Sequence, residues 1–335
     1  MGFSDKSNEV HDQRILVTGA SGFVGSRLIT SCNQRSDGMQ FRAVARKPLL
    51  GLCSNTEEIL ISNIDHNTDW SIALKDIDVV VHLAARVHMM QDDVDDPLRE
   101  YRHANVASTL NLADQAAKAG VKRFIFVSSI KVNGEKTESG RPFSEESQSH
   151  PEDPYGISKL EAEEGIRAIC KETGMEFVFI RPPLIYGPGV KANYLKLMQL
   201  VQKRLPLPLG SISNKRSMLA LDNLVDFILL AVKHSLAANE LFLLSDKKSL
   251  STTQLIKQME LLMGFTSSRL IPMPASFLRT IGKCFGQTAA VERLTDSLEI
   301  NSQKAQSLLG WEPPLNVESG IQMTVNDFIL MQKAD

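Results

Sequence analysis

Tyr155, Lys159 and Ser129 are the residues of this chain whose types and spacing indicate chemistry. Tyr155 and Lys159 are four residues apart in a predicted helix, so both lie on one helical face. Reducing a carbonyl requires a proton donor, and a tyrosine with an ordinary pKa of about 10 acts near neutrality only when a neighbouring ammonium lowers that pKa. Ser129 ends a predicted strand and can hold the substrate oxygen. The three residues therefore predict acid–base catalysis during hydride transfer.

A glycine-rich segment, Thr18-Gly-Ala-Ser-Gly-Phe-Val-Gly25, predicts the cofactor for this chemistry. It follows an apolar run at residues 15–17 and precedes a segment with helical spacing, which is the context of a dinucleotide-binding turn. Gly19 permits the tight turn, Gly22 lets backbone N–H groups approach a pyrophosphate, and Gly25 lets the helix pack on the strand. The helix N-terminus then attracts the phosphates.

Alternating apolar strands and helices over residues 14–189 predict an α/β fold, a Rossmann domain with a doubly wound parallel sheet. We predict strands at residues 15–17, 41–45, 59–61, 78–85, 123–129 and 177–180, and one long helix over 98–118. Helices and short strands over residues 190–330 predict a smaller C-terminal α+β substrate lobe, with parts of 210–250 returning to the first domain. Residues 1–13 form a polar N-terminal extension.

Arg46 bears on which nicotinamide cofactor is bound. It follows the second predicted strand, where an acid would accept hydrogen bonds from the ribose of NAD and an arginine suits the 2′-phosphate of NADP. Residues 41–50 contain no acid. The sequence therefore favours NADP(H), with NAD(H) open and a solvated strand-end charge as the alternative interpretation.

The composition excludes several other classes of protein. The net charge is −2 without a basic or acidic block, so we expect no nucleic-acid partner, and no apolar stretch is long enough to span a membrane. Residues 1–13 are polar and unlike a signal peptide, so we expect a cytoplasmic protein. Cys32, Cys53, Cys170 and Cys284 are scattered, which predicts packing thiols and no metal site.

Taken together, these motifs resemble the extended short-chain dehydrogenase/reductase superfamily, specifically its nucleotide-sugar epimerase/dehydratase group. Further supports are His82-Leu-Ala-Ala85, Tyr155-Gly-Ile-Ser-Lys159, Arg181-Pro182 and Leu309-Gly-Trp-Glu-Pro313. The resemblance implies Ser129, Tyr155 and Lys159 as catalytic residues. It implies that the cofactor contacts Gly19, Ser21, Gly22, Phe23, Val24, Gly25, Arg46, Asn63, Ile64, Leu83, Ala84, Ala85, Asn105, Ser128, Tyr155, Lys159 and Pro182.

The resemblance also implies a nucleotide-diphosphate sugar as substrate, bound by the C-terminal lobe and carrying UDP. Arg216 matches an arginine that contacts the diphosphate in this family. Further substrate candidates are Arg86, Lys131, Asn193 and Arg293. A homodimer formed by the helices around Asn105 and Tyr155 is an expectation from the family alone.

The chain also departs from the family pattern. Arg46 and Asn63 stand where typical 4-epimerases carry acids, and Asn133 replaces a common tyrosine. Residues 85–89 and 129–134 resemble a subgroup labelled UDP-glucose 4-epimerase. That subgroup includes reductases of UDP-4-keto-6-deoxy-N-acetylhexosamines that serve surface polysaccharide synthesis. The residues after Ser128 lack the Asp/Glu pair of dehydratases, which argues against dehydration.

Three functions remain open at this stage. An NADPH-dependent 4-keto reductase and a 4-epimerase with retained NAD both use the same three catalytic residues, so those residues do not separate them. We rank the reductase first and the epimerase second, because Arg46 and the subgroup segments favour net reduction. A catalytically inactive nucleotide-binding scaffold is a remote third, since it predicts loss of Tyr155 or Lys159. The sequence leaves the sugar, the nucleotide, the C4 stereochemistry and the oligomeric state undetermined.

Overall fold

The computed structural model describes residues 13–31, 38–86 and 96–334, so Cys32 and the first twelve residues lie outside the described part. The chain forms two compact units. The first unit contains the chain up to Phe126 together with Glu161–Phe177, and the second contains Val127–Leu160 and the chain from Val178 onward. The predicted division at residue 189 stays a prediction.

A seven-stranded sheet has the order β3-β2-β1-β4-β5-β6-β9. Its strands are β1 (Gln13–Thr18), β2 (Met39–Ala45), β3 (Thr56–Leu60), β4 (Val79–His82), β5 (Arg123–Val127), β6 (Glu176–Arg181) and β9 (Glu240–Leu243), with β7 and β8 forming a separate pair. The registers of the described pairs are parallel, for example Thr18 opposite His82. The Rossmann-like α/β class predicted from the sequence is confirmed.

In the first unit, β1 and β4 are almost entirely buried, as expected of parallel strands covered on both faces. Three of the helices in this unit are α1 (Phe23–Ser31), α2 (Ser71–Leu74) and α4 (Ser108–Lys118). The predicted helix over 98–118 is continuous but not uniform. It begins as α3 (Pro97–Tyr101), widens into a π-helical segment (Arg102–Ala107) and continues as α4. Single π turns inside α-helices frequently mark functional sites.

In the second unit, β9 pairs with β6, so residues 240–243 join the main sheet. A two-stranded parallel sheet pairs β7 (Leu184–Tyr186) with β8 (Met218–Ala220). The α-helices described in the second unit are α5 (Pro154–Thr173), α6 (Ala192–Gln202), α7 (Leu221–Lys233), α8 (Thr252–Leu262), α9 (Ala275–Cys284), α10 (Thr288–Thr295), α11 (Gln303–Leu309) and α12 (Val317–Ala334). The residues of α5 from Glu161 onward belong to the first unit.

A buried polar network joins β7, β8 and α7. Asp246 accepts hydrogen bonds from the Tyr186 hydroxyl at 2.7 Å, the Ala220 N–H at 3.0 Å and the Asn223 amide at 2.7 Å. Burial raises the pKa of Asp246, although these three donors oppose the rise. The carboxylate is therefore a buried acceptor whose hydrogen bonds offset its desolvation.

One expectation about side chains needs correction. Cys53 and Cys170 are buried, and burial raises the pKa of the Cys170 thiol to about 11, but Cys284 is exposed and is not a packing thiol. The helix α7 is amphipathic, because its less buried residues, Asp222, Asp226, Leu230 and Lys233, follow one helical face. Among the described residues, no helix has the length and apolar character needed to cross a membrane.

Candidate active site

The helix α5 carries Tyr155 and Lys159 in its first two turns. Asp153 caps this helix, because its Oδ1 atom accepts the Gly156 N–H at 2.6 Å, and Pro154 occupies the first helical position. The Lys159 Nζ atom lies 5.9 Å from the centroid of the Tyr155 ring and donates to the Val127 carbonyl at 3.0 Å. Lys159 is buried and Tyr155 is half-buried. The fold therefore brings the ammonium and the phenol together.

Ser129 lies two residues after the last residue of β5, in an extended conformation. Its Oγ atom accepts the Lys131 N–H at 3.3 Å and caps a 3-10 turn over Ile130–Val132. The preceding Ser128 donates its N–H to the Ile180 carbonyl at 2.7 Å, and the Pro182 carbonyl accepts the Ile130 N–H at 3.0 Å. Backbone hydrogen bonds on both sides of Ser129 thus fix its position at the end of β5.

Ser128 has a buried hydroxyl that makes no hydrogen bond within the described part of the chain. A buried unsatisfied hydroxyl costs free energy unless a ligand or water satisfies it. Such an atom fits the prediction that Ser128 contacts a cofactor.

Lys131 has a different environment from the other candidates. Its ammonium donates to Asp153 Oδ2 at 2.5 Å and to Glu135 Oε1 at 2.6 Å. Burial would lower the pKa of Lys131, but hydrogen bonds and charge attraction from these carboxylates outweigh it and raise that pKa. Asp153 and Glu135 are not among the predicted site residues, although an aspartate directly before Pro154 is a recognisable helix-start signal.

Two positions of the glycine-rich segment, Gly19 and Gly25, have no room for a side chain. Gly19 has φ +70°, and a Cβ there would lie 2.8 Å from the Ala84 nitrogen. A Cβ at Gly25 would lie 2.2 Å from the Gly19 carbonyl oxygen. The Gly22 N–H donates to that same carbonyl at 2.9 Å, and α1 begins at Phe23. Ser21 and Gly22 are exposed, so this strand, turn and helix fit a dinucleotide pyrophosphate.

His82 and Asn105 both hold the end of β4 in place. The His82 ring nitrogens contact Thr18 Oγ1 at 2.7 Å and Thr109 Oγ1 at 2.9 Å, so this buried histidine has a structural role. Asn105, in the π-helical segment, accepts the Arg86 N–H at 2.8 Å and donates to the Arg86 carbonyl at 3.1 Å. Its cofactor contact stays a prediction.

The remaining cofactor candidates of the first unit lie beyond the strand ends. Leu83 and Ala85 are half-buried in the segment after β4, while Arg46 is exposed directly after β2. Asn63 is exposed and donates to Asp65 Oδ2 at 2.9 Å, and Ile64 is half-buried. Val24, in the first turn of α1, is also half-buried.

Two of the substrate candidates form a pair of cations in the second unit. Arg216 is half-buried and donates from Nη1 to the Asp296 carbonyl at 3.0 Å. Burial lowers the pKa of Arg216, the nearby Arg293 lowers it further, and Asp296 and Glu135 oppose the change. Arg293 is exposed on α10, and its charge acts on that of Arg216, so this part of the second unit carries two cations of the kind that bind phosphate groups. Asn193 is exposed in the first turn of α6.

Arg86 lies in the first unit rather than with those cations. Its side chain is exposed, and its guanidinium lies 3.7 Å from a carboxylate oxygen of Glu100. Its role as a substrate contact stays a prediction.

A family model and several known proteins match the chain. The model of the NAD dependent epimerase/dehydratase family matches residues 15–244, a range that includes the glycine-rich segment, Ser129, Tyr155, Lys159 and Arg216. A protein from Vibrio cholerae named UDP-glucose 4-epimerase is 44% identical over 319 residues, covering 94% of this chain and 95% of the relative.

Solved structures share the fold. A UDP-glucose 4-epimerase from Thermotoga maritima, solved with UDP-glucose, is 24% identical with a TM-score of 0.76, covering 96% of this chain and 100% of the other. A UDP-glucuronic acid 4-epimerase from Bacillus cereus, solved with NAD, is 22% identical with a TM-score of 0.76, covering 95% and 99%.

Proposed function

This chain belongs to the NAD dependent epimerase/dehydratase family of enzymes, and we propose that it is a nucleotide-sugar 4-epimerase acting at C4 of a UDP-hexose. The observation that carries the proposal is the pairing of Tyr155 with the buried Lys159 on α5. The full-length match to the Vibrio cholerae relative ranks the epimerase above the reductase that the sequence motifs favoured.

The chemistry that we assign to the chain's own residues is proton transfer. The glycine turn at residues 19–25 would hold the nicotinamide cofactor, and that group would supply hydride exchange with C4. Tyr155 takes the proton of the C4 hydroxyl as the ketone forms and returns it as the hydroxyl is restored. The Lys159 ammonium favours the phenolate form of that tyrosine, and the Ser129 hydroxyl holds the C4 oxygen.

We assign binding of the substrate's diphosphate to Arg216 and Arg293. Epimerisation requires the ketone to be reduced on its opposite face, so the sugar has to turn while the nucleotide stays bound. Two neighbouring guanidinium groups can hold the diphosphate during that turn through charge-assisted hydrogen bonds. Their removal would weaken binding of the UDP-sugar and of free UDP alike.

The second candidate is reduction of a UDP-4-keto sugar with NADPH. Arg46 favours it, because an exposed arginine directly after β2 suits a 2′-phosphate. The same proton donor, Tyr155, would serve this reaction, so the cofactor decides between the two.

The test is to purify the protein, denature it and identify any nicotinamide released, then to assay the native enzyme without added cofactor. We expect stoichiometric NAD⁺ and interconversion of the C4 epimers of UDP-glucose or UDP-N-acetylglucosamine. If the purified protein contains no cofactor, binds NADPH tightly and oxidises it in the presence of a UDP-4-keto-6-deoxy sugar, the reductase is the correct function and the epimerase is not. Light scattering on the same sample tests the predicted homodimer.

A further inference from the structure

We propose that Lys131 is a positioning residue that fixes the first turn of α5, and with it Tyr155, relative to Ser129. The inference rests on the proposed function, because it gives Lys131 a purpose in placing the proton donor. It differs from the expectation that Lys131 binds the substrate.

Three polar groups of Lys131 contact the two parts of the site. Its N–H donates to Ser129 Oγ at 3.3 Å, and its ammonium donates to Asp153 Oδ2 at 2.5 Å. Its carbonyl lies so close to α5 that a Cβ at Gly156 would be 2.8 Å from that oxygen. One residue therefore contacts the hydroxyl that holds the substrate oxygen and the helix turn that carries the proton donor.

Asp153 transmits this contact to the helix. Its Oδ1 atom caps α5 through the Gly156 N–H, while its Oδ2 atom binds Lys131. Tyr155 is the second residue of α5, where the backbone N–H groups have no partner within the helix and depend on the cap. Fixing the Asp153 carboxylate thus fixes the turn from which the Tyr155 side chain extends.

The charges around Lys131 oppose a role in binding a diphosphate. The Lys131 ammonium faces two carboxylates, Asp153 and Glu135, and is paired with both. Glu135 also acts on the charge of Arg216, so the charge of Lys131 is already balanced within a set of ion pairs, and binding a diphosphate would require those pairs to break. Side-chain exposures of 35%, 33% and 34% for Lys131, Glu135 and Asp153 leave the cluster partly shielded from solvent, as a positioning contact requires.

The experiment compares three variants with a matched control. Lys131→Met removes the ammonium. Asp153→Asn keeps an oxygen that can cap α5 but weakens the ion pair, and Lys131→Arg keeps the charge. Lys118→Met breaks the surface pair of Lys118 with Asp114, whose atoms lie 2.7 Å apart on α4, and serves as the control.

We expect Lys131→Met and Asp153→Asn to lower kcat by about 10- to 100-fold, because small misplacement of a catalytic group costs rates of that order. The KM for the UDP-sugar should change by less than about threefold, and the double variant should be no slower than the slower single one. Lys131→Arg should recover most of the rate, and Lys118→Met should match the wild type.

A second measurement does not depend on turnover. The ultraviolet absorbance of phenolate, followed against pH in the wild type and in Tyr155→Phe, isolates the ionisation of Tyr155 by subtraction. Loss of Lys131 should move this ionisation to higher pH, because Tyr155 is then held less firmly beside Lys159. The rising limb of kcat against pH should move in the same direction.

The outcomes are distinct. An unchanged kcat with a KM raised about tenfold or more would assign Lys131 to substrate binding, and an unchanged Tyr155 titration would overturn the positioning role. If Lys131→Met does not fold, Asp153→Asn carries the test, because its cap is retained. If the wild type converts no UDP-sugar, the proposed function fails while the titration still decides the role of Lys131.

Discussion

At the scale of single residues, the proposed role of Tyr155 as proton donor depends on the environment of Lys159. Lys159 is 3% exposed, and its hydrogen bond to the Val127 carbonyl keeps the ammonium beside the Tyr155 ring. A charge held in such a poorly solvated place acts more strongly on its neighbour than one in water. This position is the one that the proposed role of Tyr155 requires.

Tyr155→Phe removes the proton donor and leaves the ring. We expect kcat to fall by about 10²- to 10⁴-fold, the contribution of a positioned general acid or base, while cofactor binding is retained. Steady-state assays and the cofactor content of the purified variant measure both. Tyr194→Phe is the matched control, since the buried Tyr194 hydroxyl has no hydrogen-bond partner among the described residues. Full activity in Tyr155→Phe would contradict the catalytic assignment.

Arg46→Asp tests how the cofactor is selected. If the guanidinium contacts the 2′-phosphate, this change should lower the affinity for NADP(H) by about 10- to 100-fold, which corresponds to the loss of a hydrogen bond to a charged group. The affinity for NAD(H) should fall much less. Titration of the cofactor-free protein with each nucleotide measures the ratio. The neighbouring exposed Lys47, changed to Asp, controls for loss of positive charge. Equal losses for both nucleotides would mean that Arg46 does not recognise the phosphate.

At the scale of elements, the contact between the glycine turn and α1 sets the limit on side-chain size. A Cβ at Gly25 would lie 2.2 Å from the Gly19 carbonyl oxygen and 2.8 Å from the Ala20 Cα atom, so α1 has to move away from the strand. Because both neighbours are backbone atoms, no side-chain rotation relieves the clash. A side chain at Gly25 would therefore displace the turn and α1 from each other.

Gly25→Ala should lower the free energy of unfolding by about 1–3 kcal/mol, the usual cost of overpacking, and weaken cofactor binding more than that loss of stability explains. Gly264→Ala is the control. Gly264 has φ +80° with open space around its Cβ position, so alanine there costs about 1–2 kcal/mol of backbone strain far along the chain from the glycine turn. Urea denaturation and nucleotide titration separate the effects, and equal cofactor affinities in the two variants would contradict the prediction.

The elements also show what the sequence could and could not predict. Buried strands such as β1 and β4 have continuous apolar runs, whereas β3 begins three residues before its predicted start because its Glu57 is a polar residue that pairs with Arg42 across the strands at 2.7 Å. The π-helical segment and the three-residue strands β7 and β8 have no hydrophobic period long enough to detect.

In the candidate site too, only features with a local sequence pattern were predictable. Tyr155 and Lys159 were predictable because a spacing of four residues fixes their common helical face. The contact between Lys131 and Asp153 joins residues 22 positions apart across a segment without regular structure. Side-chain directions there depend on tertiary packing, for example the 3.0 Å hydrogen bond from Arg181 to the buried Asn133. No local pattern in the sequence encodes such a contact.

At the scale of the molecule, the pH dependence of stability reflects carboxylates that packing has desolvated. Glu145 accepts the N–H of Leu243, the last residue of β9, at 2.8 Å. Burial raises the pKa of Glu145 above its ordinary 4.5, although the Leu243 N–H and the nearby Lys304 oppose the rise. The adjacent Glu146 is exposed, and its hydrogen bond with Ser144 holds its pKa below the ordinary value.

The two neighbours should therefore change stability with opposite signs. A raised folded-state pKa means that the contribution of Glu145 is fully present below pH 4.5 and is lost as the pH rises through the folded-state value. Glu145→Gln keeps an acceptor for Leu243 and removes the ionisation, so it should become more stable than the wild type as the pH rises from 4.5.

Glu146→Gln should behave in the reverse way. A depressed folded-state pKa means that the contribution of Glu146 is present above pH 4.5 and is lost as the pH falls through the folded-state value. This variant should therefore be less stable than the wild type at neutral pH and equal to it in acid. Urea denaturation followed by circular dichroism across this pH range measures both differences. If both variants differ from the wild type with the same sign, the desolvation of Glu145 does not control its ionisation.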